Sequence, residues 1–182
     1  MNTGRIEMIC GSMFSGKTAE LLRRMERAKI ARLNTILVKP AIDTRYDALN
    51  VVSHNASSAK AIPVATAADI LKVIDDRTEV LGIDEVQFFD NQIVHVVKTL
   101  ADRGLVVILA GLDTDYRYEP FGSVPALLAL ADRIDKYHAI CVKCGADASR
   151  TQRLSNTGDQ IELGAADVYE ARCRACFVAP TA

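Results

Sequence analysis

The largely apolar stretch Ile6 to Cys10 leads directly into Gly11-Ser12-Met13-Phe14-Ser15-Gly16-Lys17-Thr18, and a segment of helical periodicity follows at once. In this order of strand, loop and helix, the spacing G-x-x-x-x-G-K-[ST] forms a cradle for the phosphates of a nucleoside triphosphate. Gly11 and Gly16 let the chain turn tightly enough for successive backbone N–H groups to face an anion. Lys17 adds a mobile positive charge beside the β- and γ-phosphates. Thr18 offers a hydroxyl to magnesium at the positive end of the following helix. The loop therefore demands a strand end and a helix start held side by side, which an α/β sheet supplies.

The rest of the first 138 residues continues that alternation. Leu21, Leu22, Met25, Ala28 and Ile30 recur at helical spacing with Arg23, Arg24, Arg27 and Lys29 between them, the pattern of an amphipathic helix with a solvated basic face. Thr35 to Val38 reads as a buried strand ended by Lys39-Pro40, and Val51 to Ser53 as a short one. Ala67 to Asp76 is expected to be helical, Val80 to Ile83 a strand, Gln92 to Arg103 a helix stopped by Gly104, and Leu105 to Ala110 a further strand. A parallel sheet with helices on both faces follows, and such sheets bind ligands at the carboxyl ends of their strands. From about Ala139 helical periodicity stops. Thr151 to Leu154 and Gln160 to Leu163 are expected to pair as a hairpin through Asn156-Thr157-Gly158. The chain thus divides into residues 1–138 and a small second domain, 139–182.

Asp84-Glu85 closes the run Val80 to Ile83, the form in which a strand delivers a carboxylate to the metal opposite a phosphate loop. Asp84 is the candidate magnesium partner. Glu85, sent to the other side by strand alternation, is the candidate general base for a hydroxyl or water attacking the γ-phosphate. Taken alone, the same pair could cap a strand at the surface. Cys141-Val-Lys-Cys144 and Cys173-Arg-Ala-Cys176 are two chelating turns whose four thiolates suit a closed, structural zinc site, and the 28 residues between them leave room for an excursion. A redox pair is the rival reading, although neither turn opens a helix in a thioredoxin-like unit. Cys10 reads as a small buried hydrophobe, and His54, His95 and His138 as packing or surface residues.

A net charge of −1 and a pI near 6.3 give no electrostatic case for nucleic acid or an anionic membrane as main partner. The longest aliphatic stretch, Leu105 to Ala110, is far too short to span a bilayer. A protein of a reducing, cytoplasmic compartment is expected, acting on small molecules. The alternative from another class is a nucleic-acid-stimulated ATPase whose zinc module grips DNA.

Together these segments resemble the zinc-containing thymidine kinase family, the type distinct from the viral and mitochondrial deoxynucleoside kinases. The resemblance rests on GSMFSGKT, on DTRY at Asp43 to Tyr46, DEVQFF at Asp84 to Phe89, Leu112-Asp113, PFG at Pro120 to Gly122, TQR at Thr151 to Arg153, and both cysteine pairs. It implies a RecA-like P-loop domain followed by a zinc ribbon carrying a lasso loop. It implies ATP, magnesium and structural zinc as cofactors, with thymidine, and deoxyuridine too, as the phosphate acceptor in pyrimidine deoxynucleotide salvage for DNA synthesis. Glu85 would take the proton of the 5′-hydroxyl, while Lys17, Arg45 and magnesium on Thr18 and Asp84 stabilise the transferring group. Val86 and Gln87 join the phosphate loop, Asp84 and Glu85 on the nucleotide side. Met13, Phe88, Leu112, Tyr116, Phe121 and Thr151 would line the nucleoside site. The lasso, from about Gln160 to Tyr169, would bring Ile161, Glu162, Leu163, Gly164 and Tyr169. A homotetramer inhibited by thymidine triphosphate is also implied. Tyr116 and Tyr118 stand where the family usually has Phe and Gly, and Asn55-Ala56 where it has Asp-Gly.

Overall fold

The computed structural model describes residues 4–43, 50–52, 58–155 and 167–179. In chain order the strands and helices are β1 (Arg5–Gly11), α1 (Lys17–Ile30), β2 (Thr35–Pro40), β3 (Asn50–Val52), β4 (Ser58–Lys60), β5 (Ile62–Val64), α2 (Ile70–Val73), β6 (Val80–Ile83), α3 (Gln92–Asp102), β7 (Val106–Gly111), α4 (Val124–Leu130), β8 (Arg133–Tyr137), β9 (Ala139–Ile140), β10 (Asp147–Ala148), β11 (Arg150–Arg153) and β12 (Tyr169–Arg172). Six strands form one parallel sheet in the order β5-β2-β6-β7-β1-β8. The expected α/β class, a parallel sheet flanked by helices, is what the chain adopts.

Alternation within the central strands builds two apolar layers. Met8, Cys10, Val38, Leu81, Val107 and Leu109 face one side and pack with Ile93, Val96, Val97 and Leu100 of α3 and with Val124 and Leu127 of α4. Ile9, Leu37, Val80, Val106, Ile108 and Ala110 face the other and meet Leu21, Leu22 and Met25 of α1. Strands covered on both faces read as continuous apolar runs, and β6 and β7 are buried along their whole length. Edge strand β8, with the sequence Arg-Ile-Asp-Lys-Tyr, is mostly exposed.

Several sequence expectations are corrected. The strand near Val51 lies outside the parallel sheet: β3 pairs antiparallel with β4. The helix over residues 67–76 shrinks to a 3-10 turn, Ala67–Asp69, and the single turn of α2. Asp75 ends it by accepting hydrogen bonds from the Thr78 hydroxyl at 2.9 Å and the Arg77 N–H at 3.1 Å, so the side chain competes for the local backbone. Gly104 does stop α3, at φ 99°, and the Leu105 N–H reaches back to the Leu100 carbonyl. Among the described residues β11 pairs with β12; residues 160–163, expected to form a hairpin with it, lie outside the described residues.

The basic face of α1 is only partly solvated. Arg24 is buried and donates to Glu7 at 2.7 Å, Glu20 at 2.8 Å and Asp135 at 2.7 Å. Three carboxylates on α1, β1 and β8 therefore share one guanidinium, whose planar fork suits several partners at once. Ile30, counted with the apolar face, is 74% exposed. Among the described residues, no helix is long and apolar enough to cross a membrane.

Candidate active site

All six strands of the sheet run parallel, so the segments leaving β1, β6 and β7 emerge at one edge. The β1 exit is the phosphate loop. Gly11 has φ 137°, and a Cβ there would come within 2.1 Å of the Tyr137 carbonyl oxygen on β8, so close strand pairing alone demands glycine. Gly16, at φ 88°, has open space where its Cβ would sit, which leaves the loop's outer side clear for an anion. The loop is also braced from inside. The Ser15 hydroxyl donates to the Ser12 carbonyl at 2.8 Å, and the Lys17 ammonium donates to the same oxygen at 2.7 Å.

Opposite stands the β6 exit. The Thr18 hydroxyl lies 3.3 and 3.4 Å from the two Asp84 carboxylate oxygens, so the helix start and the acidic turn meet, as a shared divalent cation would require. Asp84 and Glu85 lie beyond β6, and their divergence comes from a turn rather than from strand alternation. Glu85 adopts φ 50°, ψ 43°, a left-handed conformation unusual for a residue with a side chain. The Asp84 carboxylate supports this turn by accepting the Glu85 N–H at 3.0 Å. Val86 is buried in the apolar core, and Gln87 is buried beside Glu85.

The expected nucleoside-lining residues gather around the same edge. The Phe88 and Phe121 rings meet edge to face, with centroids 5.8 Å apart and planes at 88°. The Leu112 N–H donates to Gln87 Oε1 at 3.0 Å, and the Met13 N–H to Thr151 Oγ1 at 3.0 Å. Buried Tyr116 is held by arginines that sequence reasoning left without a role. The Arg153 guanidinium lies 3.7 Å from its ring centroid, and Arg117 Nε donates to its hydroxyl at 2.9 Å, so the phenolic oxygen has its partner. Arg153 also donates to the Tyr169 hydroxyl at 2.8 Å. Its signal was its place in TQR, two residues from Thr151 and so on the same face of β11. Tyr118 has φ 64°, the conformation that glycine adopts most easily, and the Arg150 guanidinium stacks 3.8 Å from its ring centroid. Asp113 pairs with Lys136 at 2.6 Å, which holds the lysine above its ordinary pKa. Arg45, His54, Asn55-Ala56, Ile161, Glu162, Leu163 and Gly164 lie outside the described residues.

The four cysteines of the paired turns come together, with all their sulfur atoms within 4.8 Å of one another. Backbone N–H groups of the turns point at the sulfurs: that of Cys173 is the main cause holding Cys141 down to about 6. Crowding has the opposite effect on Cys176, pushed up to about 12 first by its contact with Cys173. Turn amides that favour thiolates, and sulfurs too close to be ionised together without a cation, fit a structural zinc site. Cys10 is 1% exposed in β1, and burial raises its thiol to about 11, in keeping with a hydrophobic role. His95 and His138 are exposed.

This cysteine unit grips the phosphate loop. The Ser12 hydroxyl donates to the Ala148 carbonyl at 3.1 Å, Met13 is tied to Thr151, and Phe14 packs against the cluster of Ala139, Cys141, Ala148, Ala171 and Cys173. Phe14 pays for this with φ 63°.

A family model described as thymidine kinase matches residues 4–177. Among solved structures, domain III of the replication initiation protein DnaA from Thermotoga maritima is 13% identical at a TM-score of 0.46, with 75% of this chain and 55% of that one covered.

Proposed function

Because the chain belongs to the thymidine kinase family, we propose that it transfers the γ-phosphate of ATP to the 5′-hydroxyl of thymidine, and of deoxyuridine, giving the nucleoside monophosphate for pyrimidine deoxynucleotide salvage. The observation that carries this reading is the approach of Thr18 to Asp84 at 3.3 Å, with Glu85 turned out of the strand path beside it. An anion cradle, a cation position and a second carboxylate then share one sheet edge.

Backbone N–H groups of residues 11–16 and the Lys17 ammonium hold the phosphates and stabilise charge on the oxygens of the transferring group. Thr18 and Asp84 would hold magnesium, which would supply further neutralisation of that charge when bound with the nucleotide. Glu85 accepts the proton of the 5′-hydroxyl as the new O–P bond forms and the bond to the β-phosphate oxygen breaks, releasing ADP. Phe88, Leu112, Tyr116, Phe121 and Thr151 hold the base and sugar so that the hydroxyl is in line. Arg45 would add to the charge that stabilises the transferring group, and Ile161, Glu162, Leu163 and Gly164, with Tyr169, would contact the nucleoside. Residues 1–138 act as the nucleotide-binding unit and residues 139–182 as the zinc-stapled cover. The active form is a cytoplasmic homotetramer inhibited by thymidine triphosphate.

Incubation of each common deoxynucleoside with ATP and magnesium, followed by separation of products, tests reaction class and base choice together. Thymidine monophosphate formed in step with ADP supports the proposal. ATP hydrolysis that responds to single-stranded DNA and not to nucleosides would replace it with a DNA-stimulated ATPase.

A further inference from the structure

Gln87 is 3% exposed, and both ends of its amide are engaged. Its Oε1 accepts the Leu112 N–H at 3.0 Å, and its Nε2 donates to Glu85 Oε2. The orientation of this amide follows from chemistry. A backbone N–H can only donate, so the oxygen must face Leu112, and the NH2 end is left for the carboxylate. The space around Gln87 is closed as well. A Cβ on Gly111 would sit 2.7 Å from Oε1, and one on Gly122 would sit 2.8 Å from the Gln87 carbonyl oxygen.

We infer that Gln87 is a positioning residue: it fixes the Glu85 carboxylate and ties it to the backbone at Leu112, coupling the proton acceptor to the wall of the acceptor-substrate site. This assigns Gln87 a role on Glu85 rather than on the nucleotide, and it rests on the reading of Glu85 as general base. Glu85 sits in a left-handed turn at φ 50° just beyond the end of β6, and the Gln87 amide acts on its carboxylate there. A carboxylate displaced from the attacking hydroxyl by an ångström loses rate by up to ~100-fold without any loss of substrate affinity.

Two variants separate positioning from mere support. Gln87→Met keeps the volume and removes both hydrogen bonds. Gln87→Glu keeps an acceptor for the Leu112 N–H but presents a second acceptor to Glu85. Both should lower kcat by ~10–100-fold, with KM for ATP and thymidine within ~2-fold of wild type. Binding of a non-hydrolysable ATP analogue and the melting temperature report whether each variant is folded. Wild-type kcat in Gln87→Glu would mean that Gln87 only supports Leu112, and would overturn the inference. Combination with Glu85→Gln gives the second reading: Gln87→Met should add less than ~2-fold to the loss already present, because the group it positions is gone. A full additional loss would overturn the inference. Wild-type turnover in Glu85→Gln alone would instead overturn the general-base assignment.

Discussion

Replacing Thr151 with valine removes one hydroxyl and almost nothing else, because the two side chains have the same shape and Thr151 is 3% exposed. The lost oxygen is the acceptor for the Met13 N–H at 3.0 Å, inside the phosphate loop. A buried donor left without its acceptor costs ~1–3 kcal/mol. Met13 is only half buried, so its N–H can recover part of that by turning toward water. Such a turn would spoil the loop for phosphate, leaving ~1–2 kcal/mol to be recovered at the expense of nucleotide binding, or a ~5–30-fold rise in Kd. Titration calorimetry with a non-hydrolysable ATP analogue and magnesium, in the absence of nucleoside, reads this directly. Thr151→Ser keeps the hydroxyl and should bind within ~2-fold of wild type. If Thr151→Val also bound like wild type, the C-terminal unit would not be holding the loop in its binding conformation.

Arg24→Met should cost ~2–3 kcal/mol of stability, since it leaves Glu7, 5% exposed, with only the half-exposed Arg5 at 2.7 Å as counter-charge; urea denaturation should show it, and adding Glu7→Leu should recover much of the loss. A single-variant loss under ~1 kcal/mol would show the network to be dispensable. Glu20 is held at about 2, first by its hydrogen bond to Arg23 and then by Arg24, against an ordinary value of 4.5. A folded pKa below the unfolded one gives stability that is present above pH 4.5 and lost as pH falls toward 2. Melting temperature should therefore fall more steeply over that window in wild type than in Glu20→Gln; equal slopes would remove Glu20 from the acid response. Cys141→Ser should lower bound zinc measured by metal analysis and, through Phe14, weaken ATP-analogue binding; full zinc content would rule out Cys141 as a ligand.

What could be read from the sequence was local. The spacing of Gly11, Gly16, Lys17 and Thr18, the acidic pair after Ile83 and the two cysteine pairs each carry their chemistry within a few residues, and the strands before the first two are mostly apolar. Edge strand β8 could not be read in the same way, because its charged residues face solvent and leave no apolar pattern. The pairing of β11 with β12 joins residues far apart in sequence, where no turn chemistry marks the register. Arg24 looked like its neighbours on a basic helix, and only the approach of β1 and β8 turns it inward. The left-handed conformation of Glu85 was hidden because it goes against the residue's own preference, in a turn where the Asp84 carboxylate accepts its N–H. Resemblance, rather than periodicity, drew Phe88, Leu112, Tyr116, Phe121, Thr151 and Tyr169 into one site.

The central claim is that a phosphoryl group passes from the cradle at Gly11 to Thr18 to a nucleoside hydroxyl whose proton Glu85 accepts. A single-turnover experiment with γ-labelled ATP, magnesium and thymidine tests it in wild type and in Glu85→Gln. Label should appear in thymidine monophosphate with wild type, and the variant should bind ATP normally while transferring label at least ~100-fold more slowly. Transfer at the wild-type rate by the variant, or label released by wild type only as inorganic phosphate, would contradict it.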